Sequence, residues 1–397
     1  MGEQRAGPLA GITVVTVEQA VSAPLATRTL ADLGARVIKV ENPRGGDFAR
    51  HYDDVVNGMA AHFVWVNRGK ESLTLDLKDP RGIAVLHTLL GIADVLVSNL
   101  APGATERLGI GPEQLAQRHP HLVGVEITGY GPGGPLSHKR AYDLLVQAES
   151  GVCSITGWEG APAKPGPAFA DTSTGLYTAI AVLSALLRRA STGTGSRVHV
   201  AMFDVMAELM GYALTHTRHT GVEQQPVGMG SPAVVPYGAY RTADGHTVVL
   251  GTTNDGEWRR LAREVIGRPD LAADPRYARA ADRVTRREEL DAVVSAWCAR
   301  NDLADIQSAA DAAGIGNSRF NTPSEVIAHP HLTARDRWRS VDTPNGPVPA
   351  LLPPVDAAEW DPRMDPVPGL GEHTDRILTD AGLNRQDIAV LRTDGVV

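Results

Sequence analysis

An α/β protein built on a parallel, Rossmann-like sheet is the fold class this 397-residue sequence predicts. Three observations predict it. Short apolar runs alternate with amphipathic helical stretches through the first half of the chain, the helical stretches open on proline or cap residues and close on glycine, and hydrophobic residues make up 43% of the chain, ample for a sizeable core.

The elements follow in order. Residues 12–17 (ITVVTV) read as a buried strand; Pro24 marks a helix start, LATRTLADL continues it, Gly34 stops it, and ARVIKVE is a second strand. This is a βαβ unit. The same grammar recurs in the strand SLTLDL, the cap Asp79 with Pro80 leading a helix through Leu90, the strand ADVLVSNL, a short helix from Pro112 and the strand LVGVEITGY. The turn after the first strand reads EQAVSAP, and GxGxxG is absent, which speaks against a nicotinamide dehydrogenase.

A stretch broken by Pro and Gly, Pro165 to Ala170, hands over to a helical pattern from Thr172 to Arg189 that carries Leu176, Ile180, Leu183 and Leu187 on one face. STGTGS ends it, and RVHVAMFD reads as a strand. From Pro226 the texture changes to a Gly-rich loop, GMGSPAVVPYGAY, and a hairpin, RTADGHTVVLGT, turned at Asp244-Gly245. Helical segments rich in Arg and Ala run from about Trp258 to Ala313. The expected organisation is a large Rossmann-like domain over 1–221, a small α/β domain over 222–322, and a C-terminal segment, 323–397, that returns to the large domain.

A net charge of -8 argues against a nucleic-acid surface. Cys153 and Cys298 are far apart and without CxxC or His companions, so neither a disulfide framework nor a zinc site is expected; both read as buried small hydrophobes. His51, His62, His121 and His138 show no metal spacing. The N-terminus lacks an apolar signal core, and the apolar run inside Leu176 to Leu187 is too short to span a bilayer, so the expectation is a cytoplasmic protein with no membrane partner.

Asp171 stands where the broken stretch becomes helix. Side chains in a first turn accept hydrogen bonds from free backbone N–H groups, and the helix dipole favours their ionised form. Asp171 is therefore expected to be an anion at neutral pH. It is either a cap contributing about 1 kcal/mol or a carboxylate nucleophile.

Nine stretches, in order PLAGITVV, LADLGARVIKVE, NRGKESLTLDLK, NLAPGATERLG, ITGYGPGGP, AYDLLVQAESG, FADTSTGLYTAIAVLSAL, VPYGAY and PGLGEHTDRIL, together resemble the class III CoA-transferase family, of CaiB/BaiF type. That group contains formyl-CoA transferase and the 2-methylacyl-CoA racemases. The resemblance implies a Rossmann-like large domain plus a smaller α/β domain, in an interlocked, ring-like homodimer. It also identifies Asp171, in FADTSTG, as the nucleophile of an acyl-CoA:carboxylate CoA-transferase working through mixed-anhydride and aspartyl-CoA thioester intermediates. Coenzyme A or acyl-CoA is then substrate, with no permanently bound cofactor and no metal.

By the same resemblance Leu75, Asp76, Leu77 and Lys78 match an adenine-side segment, Asn99 and Leu100 the turn beside it, and Arg107 an arginine contacting CoA. Arg140, Tyr142 and Asp143, in KRAYD, complete the CoA and substrate contacts. Relatives place Arg after the acidic residue that ends the second strand. Here Glu41 is followed by Asn42, so either Arg44 substitutes or one phosphate contact is lost. Gly228 and Gly230, in GMGSP, are candidates for backbone donors to a developing oxyanion, or else a plain turn. Racemases carry a His where Tyr142 stands. A tyrosine phenol ordinarily titrates near 10 and is a poor base for an α-proton, which favours transfer over the alternatives, a racemase or epimerase and an inactive CoA-binding homologue. Val21 replaces a Gln that formyl-CoA transferase uses, so oxalate is not expected by that route; AYDLLVQAESG with SITG and PAKPG leans toward transfer from succinyl-CoA to other dicarboxylic or hydroxy acids. His373, in GEHTD, is expected to serve structure.

Overall fold

A computed structural model describes residues 5–397. The chain divides into two compact units. The larger takes residues through Ser150, Pro165–Gly211 and Arg335–Val397; the smaller takes Gly151–Lys164 and Tyr212–Ala334. These limits differ from the expected 221/222 and 322/323 divisions. The excursion at 151–164, a two-stranded hairpin, belongs to the smaller unit, where Gly157 O accepts the Gly228 N–H, a tie that no composition change announces.

The larger unit begins with β1 (Thr13–Val17), α1 (Ser22–Asp32), β2 (Arg36–Glu41), α2 (Ala61–Asn67), β3 (Lys70–Thr74), α3 (Pro80–Ile92) and β4 (Val95–Ser98). It continues with α4 (Ala104–Arg107), α5 (Pro112–Arg118), β5 (Val123–Thr128) and α6 (Asp143–Glu149). After the hairpin of β6 (Gly157–Trp158) and β7 (Ala161–Pro162), it resumes with α7 (Phe169–Thr192), β8 (Arg197–Ala201) and α8 (Met202–Leu209). The expected strand RVHVAMFD thus ends at Ala201. Phe203 N–H bonds to Gly129 O, outside any ladder, and the chain turns into helix.

Six parallel strands pair in the order β3-β2-β1-β4-β5-β8. Val15 sits opposite Ile38 on one side and Leu96 on the other. The order reverses direction between β1 and β4, and in open α/β sheets the crevice beyond the carboxyl ends of the strands at such a switch point is where ligands bind. Asp79 caps α3 by accepting the Arg81 N–H at 2.8 Å, as its sequence pattern requires. Beneath the sheet Val15, Ile38, Leu86, Leu90 and Leu96 pack with Ile377, Leu378, Ile388 and Leu391 of the C-terminal helices Thr374–Asp380 and Arg385–Thr393. His373 N–H bonds to Ser72 O and its Nδ1 accepts the Ser72 N–H at 3.2 Å, so its structural role is direct.

α7 turns its small residues inward. Ala170, Thr174, Gly175, Thr178, Val182 and Ala185 are buried, whereas Leu176, Ile180 and Leu187 are 53%, 57% and 75% exposed. α1 approaches so closely that a Cβ at position 175 would stand 2.7 Å from Ser22 O, which only glycine avoids. With its whole length counted, rather than the run from Leu176 to Leu187, α7 is long and apolar enough to cross a membrane by length and composition.

In the smaller unit β9 (Tyr237–Arg241) and β10 (Thr247–Gly251) form the expected hairpin, with Gly245 at φ 81°, and β11 (Gly316–Arg319) pairs antiparallel with β10. Trp258, Leu261, Tyr277, Leu290 and Ile306 build its core. Cys298 lies in that core, but Cys153 is only half-buried, contrary to expectation, because it sits in a short surface turn.

Candidate active site

A cleft of about 470 Å³ opens in the larger unit at the switch point. The β1–α1 turn supplies Gln19, Ala20, Val21 and Ser22; the end of β4 supplies Asn99 and Leu100; α6 presents Arg140, Tyr142 and Asp143 at its start; and α7 presents Asp171. Phe48, Tyr52 and His62 form a further wall. Tyr52 meets His62 edge-on at 5.7 Å and Phe48 at the same centroid separation.

Asp171 lies in the first turn of α7, but it is not the cap. Asp143 reaches across from α6, and its Oδ1 accepts the N–H groups of Ala170 at 2.9 Å and of Asp171 itself at 3.2 Å. Its Oδ2 accepts from Gln147 Nε2 at 2.6 Å. Two first-turn donors of the helix are therefore satisfied by a carboxylate 27 and 28 residues away in sequence. No hydrogen bond engages the Asp171 carboxylate among the described residues, which leaves its oxygens to the cleft.

Burial, and secondarily the charge of Asp143, push the Asp171 carboxyl up to about 7. This departs from the expectation of an anion at neutral pH, since the shift runs toward the protonated form. A helix dipole acts on a first-turn carboxylate by only about 0.3–1 kcal/mol, less than the combined effect of desolvation and a facing like charge. The phenol of Tyr52 is also raised, by burial first and then by Asp47 and Asp171.

Of the basic groups at the cleft, Lys139 is tied to Glu149 at 3.0 Å and lies over the Tyr130 ring at 5.5 Å. Arg140 has no carboxylate partner among the described residues, so its fork is available to an anion. The Asn99 amide is committed: Oδ1 accepts the Gln19 N–H at 2.9 Å and Nδ2 donates to Gln19 O at 2.8 Å. Asn99 therefore fixes the β1–α1 turn.

Asn99, Leu100, Arg140, Tyr142, Asp143 and Asp171 are thus brought together, and Leu75, Asp76, Leu77, Lys78 and Arg107 lie outside the cleft lining. Leu75 is 1% exposed and packs in the sheet core, so its side chain cannot contact a ligand. Asp76 Oδ1 accepts the Lys78 N–H at 2.9 Å, and the exposed Arg44 stands 3.7 Å from Asp76.

Gly228 and Gly230 belong to the smaller unit, and both amides are already used: Gly228 N–H donates to Gly157 O at 2.7 Å and Gly230 N–H to Val227 O at 3.0 Å. A Cβ at Gly228 would fall 2.3 Å from the Trp158 ring. In this structure the two glycines form a packed turn, and neither amide is free to meet an oxyanion. Gln19, Ala20, Ser22 and Tyr52 escaped the sequence reading, and His62 was given no role there. The first three stand immediately beyond the strand at the switch point, a signal available once strand order is known; the aromatic wall carries no local signature. Among the described residues no group of three or more His, Cys, Asp or Glu is arranged to hold a metal ion.

Comparison with known proteins places this geometry in context. A family described as CoA-transferase family III matches residues 9–374. A succinate–glutarate CoA-transferase of Agrobacterium fabrum is 33% identical over 95% of this chain and 96% of that protein. An acetyl-CoA:oxalate CoA-transferase of Acetobacter aceti is 34% identical over 86% and 89% respectively. The crystal structure of a CaiB/BaiF family protein from Brucella suis superimposes with a TM-score of 0.81 at 33% identity, covering 95% of this chain and 100% of that one.

Proposed function

The chain belongs to CoA-transferase family III, and from that premise we propose that it moves coenzyme A from an acyl-CoA donor to a carboxylic acid with Asp171 as the covalent carrier. The unengaged Asp171 carboxylate in the switch-point cleft is the observation that carries this reading. Its ionised oxygen attacks the thioester carbonyl carbon, the C–S bond breaks, and a mixed anhydride forms as the CoA thiolate leaves. The thiolate then attacks the Asp171 carbonyl carbon, the donor acid departs as its carboxylate, and an aspartyl-CoA thioester remains. The acceptor carboxylate attacks that thioester, releasing thiolate and giving a second anhydride. Attack of the thiolate on the acceptor acyl carbon releases the new acyl-CoA and regenerates the Asp171 carboxylate.

Each step gathers negative charge near the cleft, and the guanidinium of Arg140, without a carboxylate partner among the described residues, is the group proposed to attract it. Leu75, Asp76, Leu77, Lys78, Arg107 and Arg44 are proposed to meet the nucleotide end of CoA, with Leu75 limited to backbone contact. The names of relatives, which include glutarate, mesaconate and oxalate transferases, suggest a compact dicarboxylic acid as acceptor. We further propose a homodimer. The uncovered stripe of Leu176, Ile180, Leu183 and Leu187, with Leu144, Leu145 and Leu209 also exposed in the same unit, is the apolar surface a second copy would cover.

The test is to offer an acyl-CoA donor, quench with hydroxylamine or borohydride, and examine the peptide carrying Asp171 by mass spectrometry. An adduct on Asp171 is expected, with transfer of label to one or more acids of a dicarboxylate panel. Absence of the adduct together with an active Asp171→Ala variant overturns the proposal. Running the reaction in deuterated water separates the alternative chemistry, since racemisation must place deuterium at the α-carbon and transfer need not.

A further inference from the structure

Next to the cleft lies a cluster of four fully buried charges that the transfer chemistry does not use. The side chains of Glu18, Lys39, Asp47 and Lys70 are each 0% exposed. Lys39 Nζ stands 2.8 Å from Asp47 Oδ2 and 3.3 Å from Glu18 Oε1, and Lys70 Nζ stands 2.7 Å from Glu18 Oε1. Lys70 also donates to Pro24 O and Asn67 Oδ1, both at 2.9 Å, while Glu18 Oε2 accepts the hydroxyls of Thr16 at 2.7 Å and Thr27 at 2.8 Å. The buried Glu41 adjoins the group, its Oε1 accepting the Asp47 N–H at 3.0 Å. Burying such groups incurs a desolvation penalty that their attraction offsets only in good geometry, and well-packed hydrophobic residues often stabilise a core as much. The cluster calls for a role other than stability.

What it holds is the turn after β1. Asp47 spends Oδ2 on Lys39 and turns Oδ1 to the N–H groups of Ala49 at 2.9 Å and Ala20 at 3.1 Å. Ala20 has φ 64°, a left-handed conformation that an L side chain keeps only when its surroundings impose it. Gln19, just before it, is gripped on both its N–H and its C=O by Asn99. The residues so held, Gln19 to Ser22, are a wall of the cleft that contains Asp171.

We infer that Asp47 is a positioning residue for the transfer reaction: through the Ala20 N–H it locks the β1–α1 turn in its left-handed form, and Lys39 with Glu18 fixes Asp47 in turn. The consequence for catalysis rests on the transferase reading; the locking of the turn does not.

The experiment compares wild type with Asp47→Ala, Asp47→Asn and the double variant Asp47→Ala with Ala20→Gly. Each is read by kcat and KM for acyl-CoA, by hydrogen–deuterium exchange of the peptide spanning residues 18–25, and by Tm. Asp47→Ala is expected to raise exchange at Ala20 and to lower kcat by about tenfold or more with KM nearly unchanged, since strain of this kind corresponds to factors of that size. Asp47→Asn keeps an acceptor for the Ala20 N–H, and so is expected to keep exchange close to wild type even as Tm falls. Glycine adopts the left-handed form freely, so Ala20→Gly in the Asp47→Ala background is expected to return kcat to within about threefold of wild type without restoring Tm.

Unchanged exchange over 18–25 in a folded Asp47→Ala variant overturns the inference, as does kcat that follows Tm across the set. If Asp47→Ala does not fold, exchange in Asp47→Asn decides: retained protection at Ala20 supports the inference and lost protection overturns it. A wild-type protein that transfers CoA to no acid would sink the transferase reading alone, because the exchange measurements still decide whether Asp47 locks the turn.

Discussion

Asp171 combines two demands that conflict. As a nucleophile it must be ionised, yet burial and the facing Asp143 push its carboxyl up to about 7. Below that pH, kcat/KM is expected to rise about tenfold per unit and to level off above it, a profile measured with a donor that does not itself titrate. The same shift bears on stability. A carboxyl whose folded-state pKa lies above its unfolded value favours the fold below the unfolded pKa, and that contribution is lost as pH rises through about 7. Asp171→Asn is therefore expected to abolish transfer while stabilising the protein by on the order of 2 kcal/mol at pH 8 and not at pH 4, by urea denaturation at both. Equal effects at the two pH values would show that the group is not shifted. Asp143→Asn keeps an oxygen for the Ala170 and Asp171 N–H groups and removes the like charge, so the midpoint of the rate profile should move to lower pH. A midpoint that stays in place would exclude Asp143 as a cause.

At the scale of the element, α7 shows why a hydrophobic pattern alone misleads about which face is inside. Its leucine and isoleucine stripe satisfies the helical period, yet the face that packs on α1 is the one lined by Ala, Thr and Gly. Close approach of two backbones outweighs side-chain size there, because the Gly175 position has no room for a Cβ. Gly175→Ala would gain about 1 kcal/mol from helix propensity alone. It is instead expected to destabilise by about 1–3 kcal/mol, the usual range for overpacking, in chemical denaturation. A stabilised variant would mean that α1 can give way. The exposed stripe makes a prediction of its own: Ile180→Glu should shift the protein toward monomer in analytical ultracentrifugation, with the larger unit still folded. An unaltered sedimentation profile would place the dimer contact elsewhere or remove it.

For the whole molecule, much of the architecture was legible in the chain. Alternating apolar and amphipathic runs with caps such as Asp79 and stops such as Gly34 sufficed for a parallel sheet with helical crossovers, since these signals act over a few residues. The resemblance in nine ordered stretches picked out Asp171, Asp143, Tyr142, Arg140 and Asn99, and the cleft gathers all of them. What the chain did not disclose depends on contacts between distant residues. Which carboxylate caps α7, how far Asp171 is shifted, that Asn99 holds Gln19, that the Gly228 and Gly230 amides are already bonded, and that Asp47 restrains Ala20 are all long-range facts. Hydrogen-bond rules read from sequence reach about four residues, whereas desolvation and like-charge repulsion are set by whatever the fold brings alongside. The sequence by itself determined the sheet, the helix that bears Asp171 and the family to which it belongs; the tertiary structure decided that this carboxylate lies without a hydrogen bond among the described residues and is pushed up to about 7, because only folding sets Asp143 beside it and removes much of its hydration.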